Sequence, residues 1–451
     1  MNVNSKGLEI SQLASALALL PPKSDASRAQ PDSRRLHVLV LDEEVPYPLN
    51  SGKRIRTWNL LCRLAQKHEV SVLCYGRPGN PSVEAAKRAG IRVHLVPPPA
   101  SFANSNLYPR LLFNLFSPHP YSVDKHFSRA FESRLKLLAA EGEIDLVHCE
   151  WTPYARFQTA VSSHPFLITA HNIESQILIR RSEQSRSIFH RFFFRIQAAK
   201  MKRFERRALR SANVVTAVTS EDERLMRSWG IQSVNLVENG VDLRYFTKSA
   251  EVPGAPELLF LGSLDWYPNL DAINYLLEAI MPVVRSQRPG TRLRIVGRRP
   301  SRELVNRLAG MEWAELAADV SDVRRYLAES AVVVVPLRIG GGSRIKILES
   351  FAAGKALIST SIGAEGLRVE PGVHLEIADE PAEFARQIVR LLESPAVRER
   401  LGRKSRELVT EHYGWDAIAR VLESAWYETC ASMTTDDRTS TAPTNTGVGT
   451  H

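Results

Sequence analysis

Short runs of aliphatic residues, rich in valine and isoleucine, recur along the chain, and helix-spaced segments separate most of them. A chain so patterned has few ways to bury its apolar side chains. The strands must lie inside mostly parallel sheets that the intervening helices cover. The first run, residues 36–41, precedes a loop with Pro46, Pro48, Asn50 and Gly52. Ile55, Trp58, Leu61 and Leu64 then fall at helical spacing. Further strands are predicted over 69–76, from Gly90 to the prolines at 97–99, and over 144–151, 165–172, 212–220 and 233–240. After a break near 239–256 the pattern restarts. Strands are predicted over 256–264, 291–298, the run from Val332 and 355–363, and helices over 271–287, 302–310, 343–354, 381–394 and 395–412. Asp265 reads as a cap of the helix near Asn269.

With 451 residues, the chain suits two or three domains. The fold class is α/β, with two doubly wound domains facing a cleft, and ligands in such sheets bind beyond the carboxyl ends of the strands. The expected layout is a flexible leader over 1–34, a first domain over 35–238, a second over 239–412, a helix over 413–430 crossing back, and a disordered, Thr-rich tail over 431–451.

A hydrophobic fraction of 44 % and a charged fraction of 24 % exclude a disordered, collagen-like or disulfide-scaffold chain. The four cysteines include no C-x-x-C, and no His/Cys cluster has zinc spacing, so a reducing compartment and no metal site are expected. The apolar run at 13–20 follows an acidic residue and is too short to span a bilayer, and no other stretch nears about 20 apolar residues. The expectation is a cytoplasmic protein that at most lies on a membrane.

Several signatures are missing. No G-x-G-x-x-G follows the first strand of either half, which disfavours a dinucleotide oxidoreductase. Gly354-Lys355 resembles a P-loop ending, but Glu349 stands where its first glycine belongs and Ala356 where Ser or Thr belongs. There is no G-x-S-x-G. The informative segment is 332–367. A buried strand ends at Pro336, and Gly340, Gly341 and Gly342 permit close approach of backbone to a ligand. Ser343 is the expected N-cap of a helix whose first amides form an anion site. Arg344 and Lys346, disfavoured at a helix N-terminus, make sense if an anion sits between them. Glu349 is placed to accept from ribose hydroxyls. The same segment also reads as a plain strand–loop–helix joint.

This segment, the turn VENGVD at 237–242 and FLGSLDWYPNLDAINYL at 260–276 resemble family-4 glycosyltransferases, and most nearly bacterial exopolysaccharide sugar transferases. YPLNSGKRIRTWNLL at 47–61 and TAHNIES at 169–175 extend the resemblance, which covers about 35–428. It implies the GT-B fold of two Rossmann-like domains and retaining transfer from a nucleotide diphosphate sugar to a glycan or lipid-linked acceptor. It implies no metal and no cofactor beyond the donor. By position, Glu349 matches the second Glu of the family's E-x7-E motif, while the first falls on Gly341. The family's Arg/Lys diphosphate pair is replaced by Ser263, Leu264, Asp265 and Trp266. Arg344 and Lys346 are the candidates to stand in for it, and His171 matches a histidine near the reacting sugar. The expected catalytic residues are thus His171, Arg344 and Lys346, with Gly52, Gly341, Gly342, Ser343 and Glu349 binding the donor. The departure at Gly341 motivates an alternative, a catalytically weak nucleotide-sugar-binding protein.

The formal charge is +10, and residues 180–210 hold eleven Lys/Arg against Glu183 and Glu205, a net +9. Phe189, Phe192, Phe193, Ile196 and Ala199 fall on one face of this stretch. A basic amphipathic helix of this kind suits an anionic membrane surface, or else covers the first sheet with its charges in water. Nucleic-acid-binding signatures are absent, and no nucleic-acid partner is expected.

Overall fold

The computed structural model describes residues 34–99, 107–141, 143–185, 187–247, 257–339 and 344–439. Two parallel sheets organise them. The first is built from β1 (His37–Leu41), β2 (Glu69–Tyr75), β3 (Ile91–Val96), β4 (Leu146–Cys149), β5 (Phe166–Ala170), β6 (Val214–Ala217) and β7 (Val234–Leu236). Its order is β3-β2-β1-β4-β5-β6-β7, with Val38 opposite both Val70 and Leu146. The second holds β8 (Leu258–Leu261), β9 (Leu293–Gly297), β10 (Ala314–Ala318), β11 (Val332–Val335), β12 (Ala356–Ser359) and β13 (Glu376–Ile377), in the order β10-β9-β8-β11-β12-β13. The strand order reverses between β1 and β4 and again between β8 and β11. These are the two places where a crevice opens at the carboxyl edge of a doubly wound sheet.

The helices that bear on the site are α1 (Gly52–Leu64), α2 (Leu107–Asn114), α3 (Glu174–Gln184), α4 (Ile188–Ser211), α5 (Tyr267–Tyr275), α6 (Ile345–Ala352) and α7 (Trp415–Thr439). β1 shows why its run is apolar throughout. Val38 and Val40 pack in the core beneath α1 and α7, and Leu39 and Leu41 in the core on the opposite face. Both faces are covered, so neither position in the two-residue repeat tolerates a polar side chain. α7 returns from the second sheet to the first. Trp426 is fully buried there, Arg63 donates to Asp416 at 2.6 Å and Lys67 to Glu423 at 2.9 Å. The helix runs to Thr439, so residues 431–439, expected in a disordered tail, are helical. No Gly or Pro lies between 431 and 442 to stop it. The leader, apart from Arg34, and residues 440–451 lie outside the described residues. Arg56 of α1, fully buried, donates to the carbonyls of Val237 at 2.8 Å and Glu238 at 2.6 Å, which fastens the cleft edge of α1 to the connector leaving β7.

The basic stretch folds as the hairpin α3–α4. α4 buries Gln197, Ala198, Met201, Glu205, Ala208 and Leu209, which is not its aromatic face. Phe189 is 86 % exposed and Phe192 66 %, and Ala199 is exposed as well. The inward face is a mixed one, in which Gln197 and Glu205 are buried beside Ala198, Met201, Ala208 and Leu209, and its two polar residues are hydrogen-bonded. Glu205 accepts from the first amides of α3, Glu174 N at 2.6 Å and Ser175 N at 3.2 Å. Gln197 donates to Asn114 at 2.8 Å, and Lys200 to the Asn114 carbonyl at 2.6 Å. The same contacts bring in α2, whose Leu112 and Phe113 are exposed, followed by an exposed Phe116. No helix among the described residues is long and apolar enough to cross a membrane.

Candidate functional site

The carboxyl edges of the two sheets face each other across a cleft of about 800 Å³. Its second-sheet wall includes Gly262, Arg298, Asn269, Lys346 and Glu349, and its first-sheet wall Gly52, Lys53, Trp151 and His171.

On the second-sheet wall, β11 leads toward α6. Gly340, Gly341, Gly342 and Ser343 lie outside the described residues. The N-cap of α6 is Arg344, with φ +44° in the left-handed region and no side-chain cap bond, so the helix starts later than a Ser343 cap requires. A left-handed conformation costs a non-glycine residue about 1 kcal/mol or more, and Arg344 is held in it from the side-chain end. Its guanidinium donates to the Ile362 carbonyl at 2.6 Å and the Glu365 carbonyl at 3.2 Å, and lies 3.4 Å from the Glu365 carboxylate. Burial pulls it down to about 10. The structure thus engages Arg344 in bracing the start of α6 against residues 362–365, which follow β12.

Lys346 and Glu349 are brought together on the cleft side of α6. The Lys346 ammonium donates to Asn269 Oδ1 at 2.7 Å and sits 5.0 Å from the Phe260 ring centre. Burial pulls it down to about 7, Arg344 adding to the effect and Glu349 opposing it. Burial pushes Glu349 up to about 8, against Lys346. Opposite the Gly262 turn, Arg298 Nε donates to Ser263 Oγ at 2.6 Å, and burial lowers its pKa. Asp265 does not cap a helix. Trp266 is the N-cap of α5, and Asp265 lies 3.4 Å from Arg299 and 4.0 Å from Arg298.

On the other wall, Gly52 opens α1 behind the N-cap Ser51, whose side chain accepts from Arg54 N at 3.4 Å. His171 follows β5 and is buried, its Nε2 3.2 Å from Glu150 Oε1. Glu150 follows β4. Burial pushes its pKa up, but the imidazoles of His148 and His171 outweigh that and hold it well below the usual carboxylate range. Lys53 pairs with Asp42 and lies 3.8 Å from Glu43 and 5.3 Å from the Trp151 ring centre. Burial pushes Asp42 up to about 7, with Lys53 opposing. Sequence reasoning passed over Lys53, Glu150, Asn269 and Arg298. Their shared signal is position: each stands at the end of a strand or on the first turns of the helix after it. Among the described residues no group of three or more His, Cys, Asp or Glu could hold a metal ion.

Comparison with known proteins returns two family models. One, described as Glycosyltransferase Family 4, matches residues 51–245, and the other, Glycosyl transferases group 1, matches 255–394. The glycogen synthase of Mycobacterium tuberculosis is 26 % identical over 223 residues, 46 % of this chain and 52 % of that protein. The chain thus spans about half the length of the first curated relatives it matches. An uncharacterized 44.6 kDa protein of the Klebsiella pneumoniae cps region is 22 % identical over 368 residues, 78 % of this chain and 90 % of that one. Among solved structures, sucrose-phosphate synthase from Thermosynechococcus elongatus superposes with a TM-score of 0.67 at 19 % identity, covering 88 % of this chain and all of that one. Anabaena HepE in complex with UDP-glucose gives 0.60 at 12 %, covering 86 % and 99 %. At these identities the structures speak to the fold alone.

Proposed function

The chain belongs to the family-4-type glycosyltransferases of the GT-B fold, and from that premise we propose that it moves a sugar, with retention at the anomeric carbon, from a nucleotide diphosphate sugar to a glycan or lipid-linked acceptor. Exopolysaccharide or another cell-envelope glycan is the product, a reading supported by the relative from a cps region. The observation that carries the reading is the pairing of Lys346 and Glu349 on the cleft side of α6, with His171 on the opposite wall.

In this mechanism the diphosphate sits between Lys346, Arg298 and the first amides of α6. As the bond from anomeric carbon to phosphate oxygen breaks, negative charge grows on the diphosphate and these preorganised groups stabilise it. The acceptor hydroxyl attacks the same face the phosphate leaves. Its proton passes to the departing phosphate oxygen, so the new bond keeps the old configuration. Glu349 accepts from the donor's ribose hydroxyls, and His171 meets a sugar hydroxyl. Arg344 holds the start of α6 against residues 362–365. The donor is a substrate, and the reading calls for no cofactor beside it.

A screen of purified protein against UDP-, GDP- and ADP-sugars with lipid-linked acceptors, followed by NMR of the product's anomeric proton, tests the assignment. Retained configuration is expected. Nucleotide binding without hydrolysis or transfer to any acceptor would replace the enzyme with a nucleotide-sugar-binding protein, the reading that Gly341 in place of a carboxylate favours.

We further place the protein peripherally on the inner, anionic face of the cell membrane through 180–210. The outward aromatic face of α4 supports this: Ile188, Phe189 and Phe192 are exposed beside the exposed Arg191, Arg195, Lys202 and Arg203. Apolar side chains flanked by cations match the boundary between acyl chains and anionic headgroups.

A further inference from the structure

Glu150 is the buried carboxylate beside His171, and its surroundings constrain where the histidine proton sits. Thr57 Oγ1 donates to Glu150 Oε1 at 2.8 Å. On the other oxygen, Oε2 lies 3.1 Å from His148 Nε2. His148 has its tautomer set from outside: its Nδ1 accepts from the Trp426 indole N–H at 3.3 Å. The proton of a neutral His148 is therefore on Nε2, directed at Glu150 and at Thr169 Oγ1, 2.8 Å away.

His171 meets the same carboxylate. Its Nε2 is 3.2 Å from Oε1, off hydrogen-bond geometry, and that nitrogen is sealed from solvent with no other partner among the described residues, while the ring lines the cleft. A neutral imidazole carries one N–H and one lone pair. A lone pair on Nε2 would point at a carboxylate oxygen and repel it, whereas an N–H there is attracted. The choice leaves the Nδ1 lone pair as the group the cleft can reach.

We propose that Glu150 is a positioning residue that fixes His171 as the Nε2–H tautomer, so that His171 acts as a hydrogen-bond acceptor, through Nδ1, for a sugar hydroxyl. Burial lowers the His171 pKa, with Arg56 and Lys53 adding to the effect and Glu150 opposing it, which favours the neutral ring in which tautomer choice has meaning. This inference rests on the reading that His171 meets the sugar substrate.

The test uses the full chain labelled with ¹⁵N. Long-range ¹H–¹⁵N spectra of the histidine side chains at pH 7.5, with His171 assigned by its loss in His171→Asn, read the tautomer directly. Wild type is expected to show Nε2–H. In Glu150→Gln the amide donates to Nε2 and moves the proton to Nδ1. That variant loses about tenfold in kcat, the value of one hydrogen bond to a substrate hydroxyl, with donor KM within twofold of wild type. Glu150→Gln combined with His171→Asn is expected to be no slower than His171→Asn alone. An Nδ1–H ring or an imidazolium in wild type overturns the inference, and that spectrum needs no variant to fold. An unchanged tautomer and kcat in Glu150→Gln, with His171→Asn impaired, overturns it as well while leaving the role of His171 standing. Full activity in His171→Asn overturns that role itself.

Discussion

Lys346 allows the proposed donor site to be tested through its proton. With the ammonium pulled down to about 7 by burial and Arg344, against Glu349, the empty cleft at pH 8 holds mostly the neutral amine, since one pH unit beyond the pKa leaves about a tenth protonated. A diphosphate seated against Lys346 favours the charged form and raises that pKa, so binding takes up a proton. The sign follows. Affinity is highest below pH 7 and falls as the pH rises through 7, because part of the binding free energy must then be spent on protonation. Between pH 6.5 and 8.5 the charged fraction drops about 25-fold, and Kd for an intact nucleotide diphosphate sugar rises by about that factor. The intact sugar nucleotide is the right probe because its bridging phosphates do not ionise in this range, as the terminal phosphate of a free diphosphate does. Glu349 titrates near 8, so the lysine must be isolated by substitution. Lys346→Met is expected to weaken binding at pH 6.5 by about ten- to a hundredfold, the loss of one charge-assisted contact of ~1.5–3 kcal/mol, and to flatten most of the pH dependence. Titration calorimetry in two buffers of different ionisation enthalpy reads both Kd and proton uptake. A wild-type Kd constant within twofold across this range, without buffer-dependent heat, would refute the reasoning, as would a Lys346→Met protein that keeps the wild-type pH dependence.

The other predictions concern the frame around the cleft. Arg344→Lys keeps the charge but cannot serve the Ile362 and Glu365 carbonyls with one planar fork. It is expected to lower kcat/KM about tenfold, and unchanged kinetics would remove the bracing role. Trp426→Ala opens a cavity under α7 and leaves His148 Nδ1 without its donor. A loss of about 3–5 kcal/mol is expected in denaturant unfolding, and a loss under 1 kcal/mol would contradict the packing described. Glu205 is pushed up to about 8, chiefly by burial and further by Glu174, with the hydrogen bonds from Glu174 and Ser175 opposing. A carboxyl raised in the folded state stabilises it most below its unfolded value near 4.5, and that contribution is lost as the pH rises through 8. Glu205→Gln should therefore lose less Tm than wild type between pH 5 and pH 9, and parallel Tm curves would count against it. Phe189→Ser with Phe192→Ser should abolish sedimentation with vesicles containing anionic lipid while leaving transfer to a soluble acceptor intact. Retained sedimentation would place any membrane contact elsewhere.

What was legible in the sequence follows from how each signal is made. The strands of both sheets carry dense aliphatic runs because both faces are buried, and runs such as 332–335 announce themselves. β10 does not, because at the edge of its sheet Ala314–Ala318 reads AELAA, with one large apolar residue. The α4 aromatic face was visible as a periodicity, but periodicity cannot say which face is buried. In the structure the inward face is the one on which Ala198, Met201, Ala208 and Leu209 pack and from which Gln197 and Glu205 hydrogen-bond to α2 and α3. His171 and Glu349 were found through motif positions. Glu150 and Lys53 were not, because their meaning arises only when strands distant in sequence set their ends side by side.

The net charge misleads most about the proposed donor site. Nearly all of the +10 resides in one surface hairpin, where the cations are cheap because water solvates them. A cleft proposed to hold a diphosphate cannot keep free buried cations while empty, since an unpaired charge away from water costs several kcal/mol. The structure meets this in three ways. Arg344 is covered by carbonyls and Glu365, Arg298 rests on Ser263 with Asp265 nearby, and Lys346 surrenders its proton near neutrality. Only the last can change its charge on demand. On the proposed reading, the attraction for the diphosphate is thus in part created by the diphosphate's arrival, which is why a proton should be counted in the binding step and why a tally of Lys and Arg along the chain could not point to this lysine.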